Sequence, residues 1–450
     1  MNRRSFLLAG CSSLSSPLWP GLAQTSLGTL VWVEASGIWQ RELPDGPSTI
    51  VASGGGFDSP RFSPSGRWIA YRKLEDQVLV VRSDGRGGAS FEGQGSMWLP
   101  QGDRLAVPKG SEVLVYSPGN QWMSPEASWR DAGIGPFRPD GQQYAAMRIH
   151  QYPKDRYGLI EDRAELYLAT EDRTLRVLIP NHEGGMRPYG WTRDGKQVIY
   201  WRADEWSASI WADGIRLYAI PATGGPERKL GVSSLVHADM LDLAPAAAGN
   251  KLIVASGRSR ETWAEQQLVM VNLDTAAKRD LTPPEIAAQG PAWSPDGRRV
   301  AYFAAPDAEL AEAKAKAGTT MKIINPNGSV TTKVRTPDMR VGIGGGEEAH
   351  RFLQLRKIWV LDPVGAASPQ QLTHDPLYRD EEPLWSADSS HILFARMDYD
   401  GHASLWLMES SGARARQVCQ LNVHSDSPIE EGWFGYYGYI DWRTAFDWRR

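Results

Sequence analysis

Two cysteines in 450 residues, Cys11 and Cys419, are too few for a disulfide framework or a thiolate metal site. The eight histidines never pair at metal-ligand spacing, and no Gly-x-Ser-x-Gly elbow occurs to mark a serine hydrolase. No apolar run reaches the ~18 residues that a membrane-spanning helix requires. Charge of one sign is also missing. A formal net charge of -4, with acidic and basic residues interleaved, excludes the basic footprint of a nucleic-acid binder and a polybasic membrane surface. Gly342-Ile343-Gly344-Gly345-Gly346 is followed by neither Lys-Ser nor Lys-Thr, so it reads as a flexible turn and not as a phosphate cradle. Asp398-Tyr399-Asp400-Gly401 alternates carboxylates like a calcium loop but lacks the later ligands. These gaps lead us to expect no cofactor and no metal.

The chain is instead rich in Trp (19), Gly (45) and Pro (30), which favours aromatic strands joined by tight turns. One phrase recurs: an aromatic or apolar residue, a turn of Ser, Pro, Asp and Gly, then a short apolar strand. Its clearest copy is Pro291-Ala292-Trp293-Ser294-Pro295-Asp296-Gly297-Arg298-Arg299-Val300-Ala301-Tyr302. Further copies start at Phe62, Trp98, Phe137, Trp191 and Trp385, and a worn one lies at Leu243-Ala244-Pro245. Ser bonds the backbone ahead, Pro presets φ, and Gly tolerates positive φ, so the phrase closes a hairpin. The strand that follows, such as Val198-Ile199-Tyr200-Trp201, is apolar on both faces, as required where a sheet is sandwiched between two neighbours. A third strand (Gln77 to Val81, Arg216 to Ile220, Ser404 to Met408) and a fourth (Arg228 to Leu230, Arg279 to Thr282, Gln370 to Thr373) complete each unit.

Four antiparallel strands repeated every ~40 residues or more predict a β-propeller. The phrases resemble the repeat of the TolB-like propeller family, over roughly residues 28 to 442, and that resemblance implies an all-β fold and contacts with envelope proteins. At the N-terminal end, Thr29 to Val33, Gly37 to Arg41 and Thr49 to Val51 read as outer strands lacking an innermost one. Tyr437 to Trp442 reads as the missing strand, so both ends share one blade and the ring has no free edge. Seven copies plus the shared blade give eight blades, or seven blades in all if the worn copy is not a unit.

Three insertions stretch the period, at about 150–163, 203–213 and 305–356. In the third, Asp307 to Lys316 has an Asp cap and strong helix formers, and Met321 to Val334 reads as a hairpin turning at Asn327-Gly328. At the N-terminus, Asn2-Arg3-Arg4-Ser5-Phe6-Leu7-Leu8 resembles a twin-arginine export signal. Cleavage after Ala23 would leave residues 24–450 as the periplasmic propeller domain. Leu8-Ala9-Gly10-Cys11 also resembles a lipobox, and the alternative is a lipid anchor on Cys11.

In such a ring the loops leading into the inner strands converge on one mouth of the channel, where binding residues are expected. These are His182, Arg187 and Tyr189 before Trp191, Tyr378, Arg379, Asp380 and Glu381 before Trp385, and Tyr436 before the closing strand. A structural role competes for Arg187 and Arg379, which could pair with nearby carboxylates and tie blades together. The sequence therefore points to a monomeric, non-catalytic periplasmic module that binds an envelope protein or a small ligand. The alternative is a lyase or hydrolase acting on a sugar or peptide in the funnel.

Overall fold

The computed structural model describes residues 26–73, 76–110, 112–130, 135–153, 160–170, 175–204, 214–257, 266–283, 286–309, 319–324, 330–335, 352–365, 367–421 and 438–450. Eight antiparallel sheets stand as blades around one axis, forming an all-β propeller. Blades 1 to 7 follow in chain order and start at Phe57–Phe62, Met97–Trp98, Phe137, Met186–Trp191, Leu241–Leu243, Gln289–Trp293 and Tyr378–Trp385. Each runs from its inner strand outward. Blade 3 keeps its innermost position only as the Phe137 to Tyr144 bridge, beside a three-stranded sheet. The worn copy at Leu243 is a true unit, because Leu241–Leu243 heads a four-stranded sheet, so the count is eight and not seven.

The recurring turn works as its chemistry requires. In blade 6 the Ser294 hydroxyl donates to Asp296 Oδ1 at 2.5 Å and accepts from the Arg299 amide at 2.9 Å. Gly297 takes φ +72°, where a Cβ would also crowd the neighbouring blade at Ala248. Past the turn, all five residues of Val300–Ala304 are buried. The reason is visible in the apolar clusters, each of which joins adjacent blades. Val81 and Ile69 of blade 1 meet Val31 and Val33 of the closing blade, and the same pairing recurs at every seam of the ring. A thin sheet thus hides both faces against its neighbours.

Polar latches fix the seams. Near the channel, Trp98, Trp191 and Trp385 donate their indole N–H to the Arg61, Pro136 and Ala292 carbonyls of the preceding blade, at 3.0, 2.8 and 2.9 Å. Farther out, Arg228, Arg279 and Arg416 of the outer strands reach the Leu273, Pro363 and Pro44 carbonyls of the following blade. In these three repeats the opening Trp is therefore both filler and fastener.

Closure corrects one expectation. Gly28–Glu34, Gly37–Leu43 and Thr49–Ser53 are the outer three strands of a shared blade, as expected, but the innermost strand is Phe446–Arg449 and not 437–442. Trp32 pairs with Phe446 and Leu30 with Trp448, in a register that buries Phe446 and Trp448 in the seam with blade 7. Residues 438–445 do something else, described below. In the first insertion, Gln143–Pro153 and Ile160–Thr170 pair along their whole length, so the extra residues lengthen two strands. The predicted hairpin is present as Thr319–Ile324 against Val330–Arg335, while its turn, and the helix beyond residue 309, lie outside the described residues. So do residues 1–25, 205–213 and 336–351, which include the proposed signal, Cys11, most of the second insertion and the Gly342 turn.

Candidate functional site

Two features fill the central channel. The first is a strap, residues 438–445, between blade 7 and the closing strand. The Gly438 carbonyl accepts from Arg356 at 3.0 Å and Arg379 at 3.3 Å, and the Trp442 indole donates to Glu381 Oε2 at 2.8 Å. Tyr439 Oη donates to Asp239 of blade 5 at 3.0 Å, while the Arg443 carbonyl accepts from Arg61 of blade 1 at 2.6 Å. Blades 1 and 5 stand opposite in a ring of eight, so the strap crosses the channel.

The second feature is a cavity of about 440 Å³ beside the strap, lined by inner strands of blades 5, 6 and 7 together with Arg193, Arg443 and Arg450. Pro245, Ser294, Pro295 and Ala387 belong to its wall, and these residues sit in the recurring turns. The cavity therefore reaches the turn mouth, at the far end of the inner strands from the loops that lead into them. Local backbone geometry makes room for it. The inner strands of blades 6 and 7 carry bulges after Gln289 and Glu381, with Gly290 at φ +58° and Glu382 at φ +48°. A left-handed glutamate is costly, and the bulge turns Glu382 onto Arg443, whose Nε donates to it at 3.2 Å.

Burial shapes the electrostatics of this cavity. Desolvation, reinforced by the like charge of Glu382, pushes Asp239 up to about 8, so it carries a proton at neutral pH. Desolvation pushes Asp242 up to about 6, against the pull of the Trp293 amide, which donates to it at 2.6 Å, and of Arg443, Arg450 and Arg193. Desolvation also lowers His237, stacked 3.8 Å from Tyr439, to about 4.

The residues expected to line the leading mouth divide into two groups. Arg379, Asp380 and Glu381 are 0, 0 and 2% exposed and are spent on internal pairs. Arg379 and Arg356 both bind Glu381, and Arg396 grips Asp380 with two bonds at 2.7 and 3.0 Å. Burial would raise Glu381, yet Arg379 and Arg356 hold it below the usual carboxylate range. Arg379 thus has the structural role that its sequence position left open. Tyr378 stacks under Arg396 and caps Lys357 through its carbonyl. His182 bonds the Ala203 carbonyl at 2.7 Å, and Tyr189 Oη donates to the Leu241 carbonyl at 2.9 Å, latching blade 4 to blade 5. Arg187 alone of this group presents an exposed side chain, and its charge acts on His237. Tyr436 lies outside the described residues. At Asp398 and Asp400, where His402 approaches, Asp398 is occupied by the turn's own amides and by His402 at 3.0 Å.

The cavity residues Arg193, Asp239, Asp242, Glu382, Arg443 and Arg450 were not singled out from sequence. A signal existed for two of them. Arg193 stands in the turn position held by proline in Pro64, Pro100, Pro139, Pro245 and Pro295, and Asp242 puts a charge on an inner strand just before the turn.

No protein-family profile and no curated protein matches the chain. Solved structures do. A eukaryotic initiation factor is similar at 12% identity with a TM-score of 0.51, over 90% of this chain and 91% of that one. Dipeptidyl peptidase 4 of Porphyromonas gingivalis is similar at 11% identity and a TM-score of 0.51, over 88% of this chain and 58% of that one. A putative TolB from Agrobacterium tumefaciens is similar at 13% identity and a TM-score of 0.36, over 88% and 90%. At these identities the likeness is one of fold.

Proposed function

We propose that the protein is an exported, non-catalytic binding module of the periplasm that receives its ligand, a small molecule or a segment of an envelope protein, in the channel cavity through the turn mouth. The observation that carries this reading is the pairing of a strap across the channel with a polar cavity of about 440 Å³ open beside it. That volume suits a small ligand or a few residues of peptide. Strap and bulges hold the charged groups in place before anything binds, which lowers the cost of ordering them.

Ala387 lies at the rim of the cavity and is exposed, so Ala387→Trp obstructs the mouth without disturbing the core. Protein recovered from the periplasm should carry a stoichiometric small molecule or cross-linked envelope protein that Ala387→Trp loses. If nothing bound depends on Ala387, the reading fails. Export is tested separately: Arg3→Lys with Arg4→Lys should abolish periplasmic accumulation.

One observation favours the enzymatic alternative. Asp239 is a carboxyl that keeps its proton at neutral pH, lines the cavity and sits 3.0 Å from a tyrosine hydroxyl, as a general acid would. Turnover of a sugar or peptide that is lost in Asp239→Asn would decide for it.

A further inference from the structure

Most of the buried or channel-lining arginines are answered by an acid. Arg356, Arg379, Arg396 and Arg443 each face a carboxylate within ion-pair distance. Among the described residues, Arg193 and Arg450 have none, and neither does Arg61, which is spent on the carbonyls of Pro60, Arg443 and Phe446 and lies outside the cavity lining. Arg193 is held by main-chain carbonyls alone, through Nε to Ala244 and through Nη2 to Leu243 at 3.2 Å. Arg450 is held through Nη1 to the Trp385 carbonyl at 2.9 Å. Carbonyls position a guanidinium but do not neutralise it, and each fork keeps further N–H donors. Both side chains line the same cavity. Arg193 leans from blade 4 onto the blade 5 carbonyls and Arg450, after the closing strand, onto the Trp385 carbonyl of blade 7, so the two guanidiniums flank the part of the cavity that blade 6 lines.

The charges of the cavity do not cancel. Three guanidiniums (Arg193, Arg443, Arg450) stand against three carboxyls (Asp239, Asp242, Glu382). Removing the Arg443 to Glu382 pair and the protonated Asp239 leaves two guanidiniums against Asp242 in the lining, with Asp447 acting on Arg450 from outside it. Asp242 is a reluctant counterion, pushed up to about 6 by burial. Arg193 also forms part of a 750 Å³ groove on the turn face with Arg228, which likewise bonds only carbonyls. This local excess of positive charge sits on a chain whose net charge is -4.

We infer that the turn mouth is a carboxylate-binding site, in which Arg193 and Arg450 clamp an anionic group of the ligand from the blade 5 and blade 7 sides of the cavity. This rests on the cavity being the binding site and specifies what it takes. The carboxylate comes either from a free organic acid or from an acidic side chain of a peptide, and both offer the same planar acceptor to a guanidinium fork. Asp242 competes for the same cations. It is faced by Arg193 and Tyr189 of blade 4, the Trp293 amide of blade 6, Arg443 of the strap and Arg450. An incoming anion favours the protonated form of Asp242, and by reciprocity binding tightens as pH falls.

The test is titration calorimetry of the full chain at low salt with three probes: succinate, an end-blocked tri-glutamate peptide, and putrescine as a cation. One carboxylate probe should bind, and succinate against tri-glutamate tells free acid from peptide. Arg450→Gln, which gives up a single bond to Trp385, should weaken it about tenfold or more, as should Arg193→Gln. Affinity should rise from pH 7.5 to 5.5 in the wild type and rise less in Asp242→Asn. Thermal midpoints separate these losses from misfolding. The inference is overturned if neither carboxylate probe binds, or if the bound one is indifferent to both arginines. Putrescine binding that Ala387→Trp blocks, without carboxylate binding, overturns it while leaving the channel reading intact. Binding of any probe that ignores Ala387 counts against the channel reading itself.

Discussion

The two walls of the channel use charge in opposite ways. Along the inner strand of blade 7, Asp380 and Glu381 are buried and answered by Arg396, Arg356, Arg379 and the Trp442 indole, so the side chains are locked. Beside it, at the seam of blades 5 and 6, Asp239 and Asp242 are buried with too little compensation, and both are pushed toward the neutral form. The first group holds the strap at Gly438 and Trp442, and the second lines the cavity. The same residue types thus serve as structure where partners saturate them and remain open to a ligand where they do not. The sharpest way to break this contrast is to remove one carboxylate from each wall. Glu381→Ala strands two guanidiniums that are 3 and 0% exposed, and should cost about 3–5 kcal/mol in urea unfolding. Asp242→Asn keeps an acceptor for the Trp293 amide and should change stability by less than about 1 kcal/mol. Equal losses in the two variants would show that the walls do not differ.

The ring was legible because its signal repeats. Each aromatic-turn copy, from Phe62 to Trp385, marks the end of an inner strand, and even the worn copy at Leu243 does so. The closing strand was misplaced because Tyr437 to Trp442 is rich in aromatic and apolar residues like a strand, whereas Phe446–Arg449 is only four residues long and is defined by its pairing with the distant Gly28–Glu34. Within the strap, Tyr439 and Trp442 are spent on Asp239 and Glu381 and not on a ladder. The cavity was illegible for a related reason. Arg193, Asp242, Glu382 and Arg450 come from four blades and meet only once the circle closes, so no local spacing announces them. Asp380 and Glu381 looked like a binding patch because sequence does not show which partners fold onto a charge, and here Arg356 and Arg396 do.

The second way to sharpen the contrast is pH. A carboxyl whose pKa rises on folding supplies stability that is lost as pH climbs through its folded value, which for Asp242 ends near 6 and for Asp239 near 8. His237, lowered to about 4, acts the other way, and its contribution is lost as pH falls from about 6.5. Between pH 6.5 and 8, His237 and Asp242 have finished titrating, and Asp239 remains, with Glu382 shifted in the same direction. The urea midpoint should therefore drop across that window, with a slope of at most about 1.4 kcal/mol per pH unit for one proton. Asp239→Asn should flatten it. A slope unchanged in Asp239→Asn would mean that the poorly compensated wall is not where the proton resides.

The smallest effect separates the two seams by their latches. Trp191 donates its indole N–H to the Pro136 carbonyl at 2.8 Å, whereas the indole nitrogen of Trp293, on the cavity seam, is buried and finds no acceptor among the described residues. Replacing either by Phe removes similar ring volume, so the packing loss largely cancels in the difference. What remains is a hydrogen bond broken in one variant and an unanswered donor removed in the other. Trp191→Phe should also leave the Pro136 carbonyl without its donor, while Trp293→Phe relieves a desolvation cost. Trp191→Phe should therefore be the more destabilising by about 1 kcal/mol, read as the gap between the two unfolding midpoints at constant slope. If the order reverses, Trp293 has an acceptor in solution, and the seam beside the cavity is as firmly latched as the rest of the ring.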